Sequence, residues 1–478
     1  MWVDPNDVWI VVVGFIVAFF LAFGVGANDV ANSFGTSVGS KVLTLRQACI
    51  LATIFEILGA LLLGYKVSDT VRKGIFTVSL YDGAERTLML GNLAALMGSA
   101  VWNILATFFA LPISGTHSIV GAVVGFTIVA RGFNGINWVG LLKIISSWFI
   151  SPVLSGIVSF LIFFSIKYYV LSQAEPLEPG LRMLPLLYGF TVLINVFSVA
   201  HDGPRVLLLD TIPLWATMLL SVTIAGLVMA YVWIYQVPRL RRKINASTRA
   251  RQALPTTQIS MLPNGTEKIH LTDDPGRGKC ATDRRASIAS LEAAILEPRT
   301  HDDEDSPEVA RLFSFLQVLT AVFGSFAHGG NDVSNAIGPL IALWMVYSES
   351  SVYQVGETPL WILLYGGVGI CAGLWLWGRK VIQTVGEDLT KVTPSNGFSI
   401  EIGAASTVLL ASKIGLPIST THCKVGSIVF VGWAKSQKAV DWNLFKGIVA
   451  AWLLTLPITG GLTALIMAIF MKTIDLPS

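Results

Sequence analysis

Long apolar runs dominate the chain, among them Val8 to Phe23, Ala48 to Leu63, Trp215 to Tyr235 and Trp452 to Met471. A bilayer core is crossed by roughly 20 apolar residues in a helix. Within lipid a segment must satisfy its own backbone polar groups, and a helix does so alone. Runs of this kind number about ten to twelve. Charged residues are 13% of the 478 and hydrophobic residues 53%, whereas an ordinary soluble protein carries about 25% charged residues. The mean hydropathy is +0.66. The expected fold is all-α: a polytopic membrane protein with about twelve membrane segments.

Two hydrophobic blocks, 1–237 and 311–478, flank one polar stretch, 238–310. That stretch is rich in Arg, Asp, Ser and Thr, has no apolar period, and is expected to be a disordered loop. It opens with Arg239, Arg241, Arg242 and Lys243 directly after a span. A juxtamembrane basic cluster marks the cytoplasmic side. No Lys or Arg precedes Lys41, so the N-terminus is expected outside. Two glycosylation triplets, at Asn245 and Asn264, argue the other way and are outweighed by the basic cluster. No basic region precedes the first apolar run, which therefore reads as a membrane helix and not as a cleaved signal. Cys49, Cys280, Cys371 and Cys423 lack metal-ligand spacing and imply no disulfide framework. The net charge of +3 points to no nucleic-acid partner.

The chain also repeats itself. Residues 26–35 read G-A-N-D-V-A-N-S-F-G and residues 329–338 read G-G-N-D-V-S-N-A-I-G. Residues 111–121 read L-P-I-S-G-T-H-S-I-V-G and residues 416–426 read L-P-I-S-T-T-H-C-K-V-G. A weaker pair is Ser147-Trp148 against Ala451-Trp452, each followed by Pro and then by Gly156 or Gly460. Motifs recurring in order at one offset mean a duplicated unit. An odd number of spans, about seven, precedes the second unit, so it is expected to enter the membrane in the opposite sense. Inverted-topology repeats with broken helices near the midplane are characteristic of secondary transporters.

In N-D-V-x-N, Asp29 and Asp332 stand in apolar surroundings. One Asp at the bilayer centre costs about 2.5–3.5 kcal/mol on the insertion scale, and the chain accepts that cost twice. Asn32 and Asn335 follow three residues later, on the same helical face, while Asn28 and Asn331 add further oxygens. Carboxylate, amide and free carbonyl oxygens suit a hard cation such as sodium. A polar patch joining helices is the alternative, but repetition of the whole pattern exceeds what packing requires.

In P-I-S-x-T-H, Pro112 and Pro417 interrupt apolar segments and short hydroxyl residues follow: Ser114 and Thr116, then Ser419, Thr420 and Thr421. Such residues cap helices, here expected to resume at His117 and His422. A helix N-terminus offers free N–H groups and about half a positive charge to an anion. Two facing termini would surround a tetrahedral oxyanion with donors. A Pro kink with small packing residues is the bland alternative. His117 and His422 fall in the first turns; they are weak candidates as proton carriers, and a structural role fits them as well. Glu56 and Glu401 are two further acids in apolar runs that do not align as repeat mates. Each is a transport candidate, with a helix-to-helix hydrogen bond as the alternative. An anion beside Asp29 and Asp332 is repelled unless cations stand between them, which makes the two bindings interdependent.

At these residues the chain resembles the sodium-dependent inorganic phosphate transporter (PiT) family, the animal type III symporters. The resemblance covers both hydrophobic blocks. It implies about twelve spans, two broken hairpins, both termini outside, a large cytoplasmic loop and phosphate import with sodium across the plasma membrane. It implies phosphate at Ser114, Gly115, Thr116, Ser419, Thr420 and Thr421, and sodium at Asp29, Asn32, Asp332 and Asn335. Glu56 and Glu401 match acids of the animal members. Asn92 stands where animal relatives often carry an acid, and Gly330 where Ala is usual.

The reading is thus a sodium-coupled phosphate symporter with no organic cofactor. Its partners are phosphate, sodium and the bilayer, and a homodimer is compatible with it. A symporter of another tetrahedral anion, a proton-driven one, and a phosphate sensor without net transport are the alternatives. An enzyme is disfavoured, because no nucleophile–base pair or transition-metal ligand set stands out.

Overall fold

Apolar runs become helices, and the helices break where the polar motifs stand. The computed structural model describes residues 7–29, 31–201, 203, 208–252, 257–261, 267–271, 305–378, 389–436 and 439–474. The first unit holds α1 (Val8–Asp29), α2 (Ala31–Gly39), α3 (Leu45–Lys73), α4 (Glu85–Phe108), α5 (Gly115–Arg131) and α6 (Trp138–Ile166). Three helices follow: α7 (Leu177–Ala200), α8 (Leu214–Tyr231) and α9 (Val237–Gln252). The second unit repeats the six-helix pattern as α10 (Pro307–His328), α11 (Ser334–Glu349), α12 (Leu360–Trp377), α13 (Pro394–Lys413), α14 (Thr420–Lys435) and α15 (Trp442–Thr473).

Nine helical stretches among the described residues are long and apolar enough to cross a membrane, against the twelve or so expected. The helices outside that count, α5, α13 and α14, are arms of two hairpins, α4–α5 and α13–α14. On α1, Val12, Ile16 and Phe20 recur every fourth residue and are exposed, while Ala18, Leu21 and Val25 are buried. An outer apolar stripe of this kind is the surface a lipid tail covers.

The polar stretch departs in part from the expected disorder. After α8 a π-turn at Val232–Gln236 leads straight into α9, so Arg239, Arg241, Arg242 and Lys243 lie on a rod continuous with a span. A span already supplies the helix nucleus, and Arg, Lys and Ala propagate it. Further on, Thr257–Met261 pairs antiparallel with Glu267–Leu271. Residues 272–304, with Cys280, and Asn264 lie outside the described residues.

The two units interlock. Helix α1 packs on α4 and α12, and α10 packs on α13 and α3; the hairpin arm α5 lies against α15, and α14 against α6. Glycines set these crossings at backbone contact. A Cβ on Gly26 or Gly373 would strike the carbonyls of Ile370 or Phe23; one on Gly329 or Gly59 would strike those of Glu56 or Phe326. The two crossings match residue for residue. They also pair α3 with α12 as repeat mates, which places Ile370 opposite Glu56. The first half of α1 lies beside the start of α12, where Tyr365 Oη donates to Phe15 O at 2.6 Å. The end of α3 reaches the same face, where Arg72 donates to Gln354 O. Helix α10 starts from the face that carries Asp305, so the two units run in opposite senses, as expected.

Candidate functional site

Each hairpin turns through a short non-helical segment, residues 109–114 and 414–419. Both turns use a left-handed residue at the same place, Ala110 with φ 54° and Gly415 with φ 70°. Glycine takes that conformation freely, and alanine only under constraint. Helices α5 and α14 then resume at Gly115 and Thr420, two residues earlier than expected, with Ser114 and Ser419 as N-caps. Their Oγ atoms accept from His117 N at 3.3 Å and His422 N at 3.2 Å.

The two tips meet. Thr116 Oγ1 donates to Ile418 O at 2.8 Å, and Thr421 Oγ1 donates to Ile113 O at 3.1 Å. Each threonine also accepts from the other unit's motif: Asn335 Nδ2 donates to Thr116 and Asn32 Nδ2 to Thr421, both at 2.9 Å. Asn28 and Asn331 hold the hairpins from behind. Asn28 Nδ2 donates to Thr107 Oγ1 at 3.2 Å and to Leu111 O at 2.8 Å. Its mate donates to Ser412 Oγ at 3.5 Å. The carboxylates complete the cluster, Asp29 accepting from Thr421 Oγ1 at 3.1 Å and Asp332 from Thr420 Oγ1 at 2.6 Å. Gly115 occupies the place of Thr420 in the first tip, and a Cβ there would stand 2.9 Å from Asp29 Oδ2. Among the described residues, two acceptors in the cluster have no hydrogen-bond donor, Asp29 Oδ2 and Asn335 Oδ1. All the residues expected at the phosphate and sodium positions therefore lie together, and all are buried.

His117 and His422 sit beside the tips in a column of rings: Trp148 stacks on His117 at 3.7 Å, His117 lies 4.6 Å from His422, and His422 lies 3.8 Å from Trp452. His422 Nδ1 also lies 3.0 Å from Trp148 O. This arrangement fits the structural role for both. Asn92 is buried and donates to Leu88 O of its own helix, so it adds no charge to the cluster.

Glu56 and Glu401 stand one layer away, in networks the sequence reading did not foresee. Glu56 accepts from Ser325 Oγ at 2.9 Å, and its Oε2 lies 2.7 Å from His328 Nδ1. His328 Nε2 in turn lies 3.0 Å from Asp332 Oδ2, linking the two acids through one imidazole. Glu401 accepts from Thr36 at 2.6 Å, Ser37 at 2.7 Å and Thr320 at 2.6 Å. Lys424 Nζ donates to Thr36 Oγ1 at 3.1 Å. His328 and Lys424 were legible as ionisable residues in apolar runs, candidates by default. Neither position has an ionisable mate in the first unit. The first unit has Val25 where the second has His328, and Ile119 where it has Lys424. The same holds around them: Thr320 faces Val17 as its mate, Ser325 Ala22, Glu401 Leu96, Thr36 Pro339 and Ser37 Leu340.

Residues 25–463 match the phosphate transporter family. This chain belongs to that family. It is 42% identical to sodium-dependent phosphate transporter 1-A of Danio rerio, over 98% of this chain and 96% of the relative. It is 41% identical to sodium-dependent phosphate transporter 2 of Cricetulus griseus, over 97% of this chain and 98% of the relative. Among solved structures it superposes on one described as the sodium-dependent phosphate transporter with a TM-score of 0.79, at 34% identity, covering 97% of this chain and all of that one.

Proposed function

We propose that this chain is a sodium-coupled inorganic phosphate symporter working by alternating access. Phosphate is held between the hairpin tips, by the hydroxyls of Ser114, Thr116, Ser419, Thr420 and Thr421 with the backbone N–H of Gly115. Sodium is held by the acceptor oxygens of Asp29, Asn32, Asp332 and Asn335. One observation carries the division: donors gather at two facing helix N-termini, while Asp29 Oδ2 and Asn335 Oδ1 are buried acceptors with no hydrogen-bond donor among the described residues. A buried acceptor left unpaired is costly, and a hard cation satisfies it.

The geometry couples the two ligands. Thr116 spends its hydroxyl proton on Ile418 O, and Thr421 shares its own between Ile113 O and Asp29 Oδ1. Phosphate takes those donors only by breaking the bonds that join the tips. Its charge is tolerated beside Asp29 and Asp332 only when sodium stands between them, since like charges in this setting repel by several kcal/mol, to order of magnitude. Loading thus both neutralises the cluster and loosens the tips, which lets the hairpins part towards one face. The basic cluster on α9 supports a cytoplasmic polar stretch, and with it termini on the outside of the plasma membrane.

Radiolabelled phosphate uptake into proteoliposomes tests the reading. Uptake should follow an inward sodium gradient and collapse when choline replaces sodium. The Glu56–His328–Asp332 chain supports a second reading, coupling to protons. Uptake driven by a pH gradient in the absence of sodium would establish that reading and overturn the first.

A further inference from the structure

Among the described residues Lys424 is the one lysine in the polar layer around the tips, and the mechanism above does not use it. It lies one turn beyond Thr420 on α14, so the two share a helix face. The side chain is 2% exposed. Among the described residues its Nζ makes one hydrogen bond, to Thr36 Oγ1, although an ammonium carries three donors. Thr36 passes its own proton to Glu401. A cavity of ≈ 20 Å³ runs past Lys424, Glu401, Thr420, Asn32 and His328. An ammonium buried at membrane depth is costly and marks a functional position by default.

The cavity lies between the tips and the face that carries the polar stretch. Helix α10 starts from that stretch and reaches the site at its far end, at His328. At the same face Asp305 accepts from Ser395 N at 2.9 Å and Ser395 Oγ at 2.7 Å, two turns before Glu401 on α13. Lys435, at the far end of α14, acts electrostatically on Asp305. Outward from the tip, α14 therefore presents Thr420, then Lys424, then Lys435. The matching positions offer no such path: Val25, Leu96 and Ile119 of the first unit, and Ile370 of the second, are apolar and at most 1% exposed.

We propose that Lys424 is a phosphate contact on one face only: when the tips part towards the polar stretch, its ammonium leaves Thr36 and receives the phosphate oxygens that Thr116 and Thr421 release. The cavity now has room for about one water, so phosphate reaches Lys424 only after the tips separate. Lys424 and Thr420 on one helix face give the anion a continuous row of donors, from the tip to the exit. The inference rests on the proposed reading of the tips as the phosphate site.

The test measures phosphate dependence from each face in proteoliposomes of defined orientation, at saturating sodium, for the wild type, Lys424→Met and Lys424→Arg. Lys424→Met should raise the half-saturating phosphate concentration about tenfold or more on the polar-stretch face, the scale of one lost charged donor. The value on the other face should stay unchanged, which also shows that the variant folds. Lys424→Arg should keep the wild-type asymmetry. An equal rise on both faces, or none on either, overturns the proposal. If Lys424→Met carries no phosphate at all, phosphate binding to the purified variant decides: weakened binding supports the contact and undiminished binding overturns it. Normal uptake by Asp29→Asn and Thr421→Val would bring down the underlying reading. Loss in those two variants with no effect of Lys424→Met brings down this assignment alone.

Discussion

At the tips the crossed bonds of the two units match. Thr116 and Thr421 cross over to Ile418 and Ile113, and Asn335 and Asn32 cross over to the threonines at the same distance. One turn away they part company. The second unit surrounds its tip with Thr320, Ser325, His328, Glu401 and Lys424, and the first offers Val17, Ala22, Val25, Leu96 and Ile119 at the matching places. A substrate that must be bound equally well from two faces needs a binding centre indifferent to direction, and the matching tips supply one. A path that ions and phosphate wet on one face needs charge there, and the unmatched layer supplies it. On the proposed reading, the symmetric part of the molecule recognises and the asymmetric part distinguishes the faces.

The largest effect is expected at the centre. Asp29→Asn and Asp332→Asn should each cut sodium-driven uptake by about a hundredfold or more, the scale of removing one partner from a buried charged cluster, with the protein still in the membrane. Near-normal uptake by both, with normal sodium dependence, would remove the cation site from the motifs. A smaller effect, about tenfold to hundredfold in phosphate affinity, is expected when one hydroxyl donor is lost. Thr421→Val and Thr116→Val should weaken phosphate by a similar factor, because the two hydroxyls are mates. Sodium should weaken only through coupling, by the reciprocal factor. A shift confined to sodium affinity in either variant would reverse the roles of tips and motifs. The smallest effect is expected from the polar stretch. Deletion of residues 253–304, sparing Asp305 and its bonds to Ser395, should leave uptake near the wild-type rate. Loss of transport by that deletion at the cell surface would give the stretch a gating role.

Much of this was legible in the residues. Apolar runs announced spans because in lipid the helix is nearly the sole solution. The duplicated N-D-V-x-N and P-I-S-x-T-H announced a bipartite site because Asp, Pro and caps at membrane depth are tolerated only with partners. The meeting of the tips was not legible, since Thr116 and Ile418 are far apart in sequence and only the crossed packing of α5 on α15 and α14 on α6 brings them together. His328 and Lys424 carry the same signal as Glu56 and Glu401, an ionisable residue in an apolar run, but their partners Asp332, Glu56 and Thr36 are brought to them only by the fold. The rod formed by α8 and α9 was missed because composition reports what cannot build a core. It does not report that a span can carry its helix on into water. Helix starts erred by two residues because Ser114 and Ser419 cap the third residue beyond them, which places the histidines inside the first turn.

The unmatched layer also bears on descent. Duplicated transporters with opposed halves invite the picture of an ancestor made of two identical chains inserted in opposite directions. Such an ancestor cannot be rebuilt from either half of the present chain. Two copies of the first half would supply Ser33, Thr36, Ser37 and Glu56 on both faces, with no His328 to meet Glu56 and no Lys424 to meet Thr36. Two copies of the second would place Glu401 and Lys424 on both faces without the hydroxyls of Thr36 and Ser37 between them. Co-expressed as separate polypeptides, the complementary halves should transport and neither half should do so with itself. The fusion has become irreversible at the level of single side chains, although the backbone still carries the older symmetry.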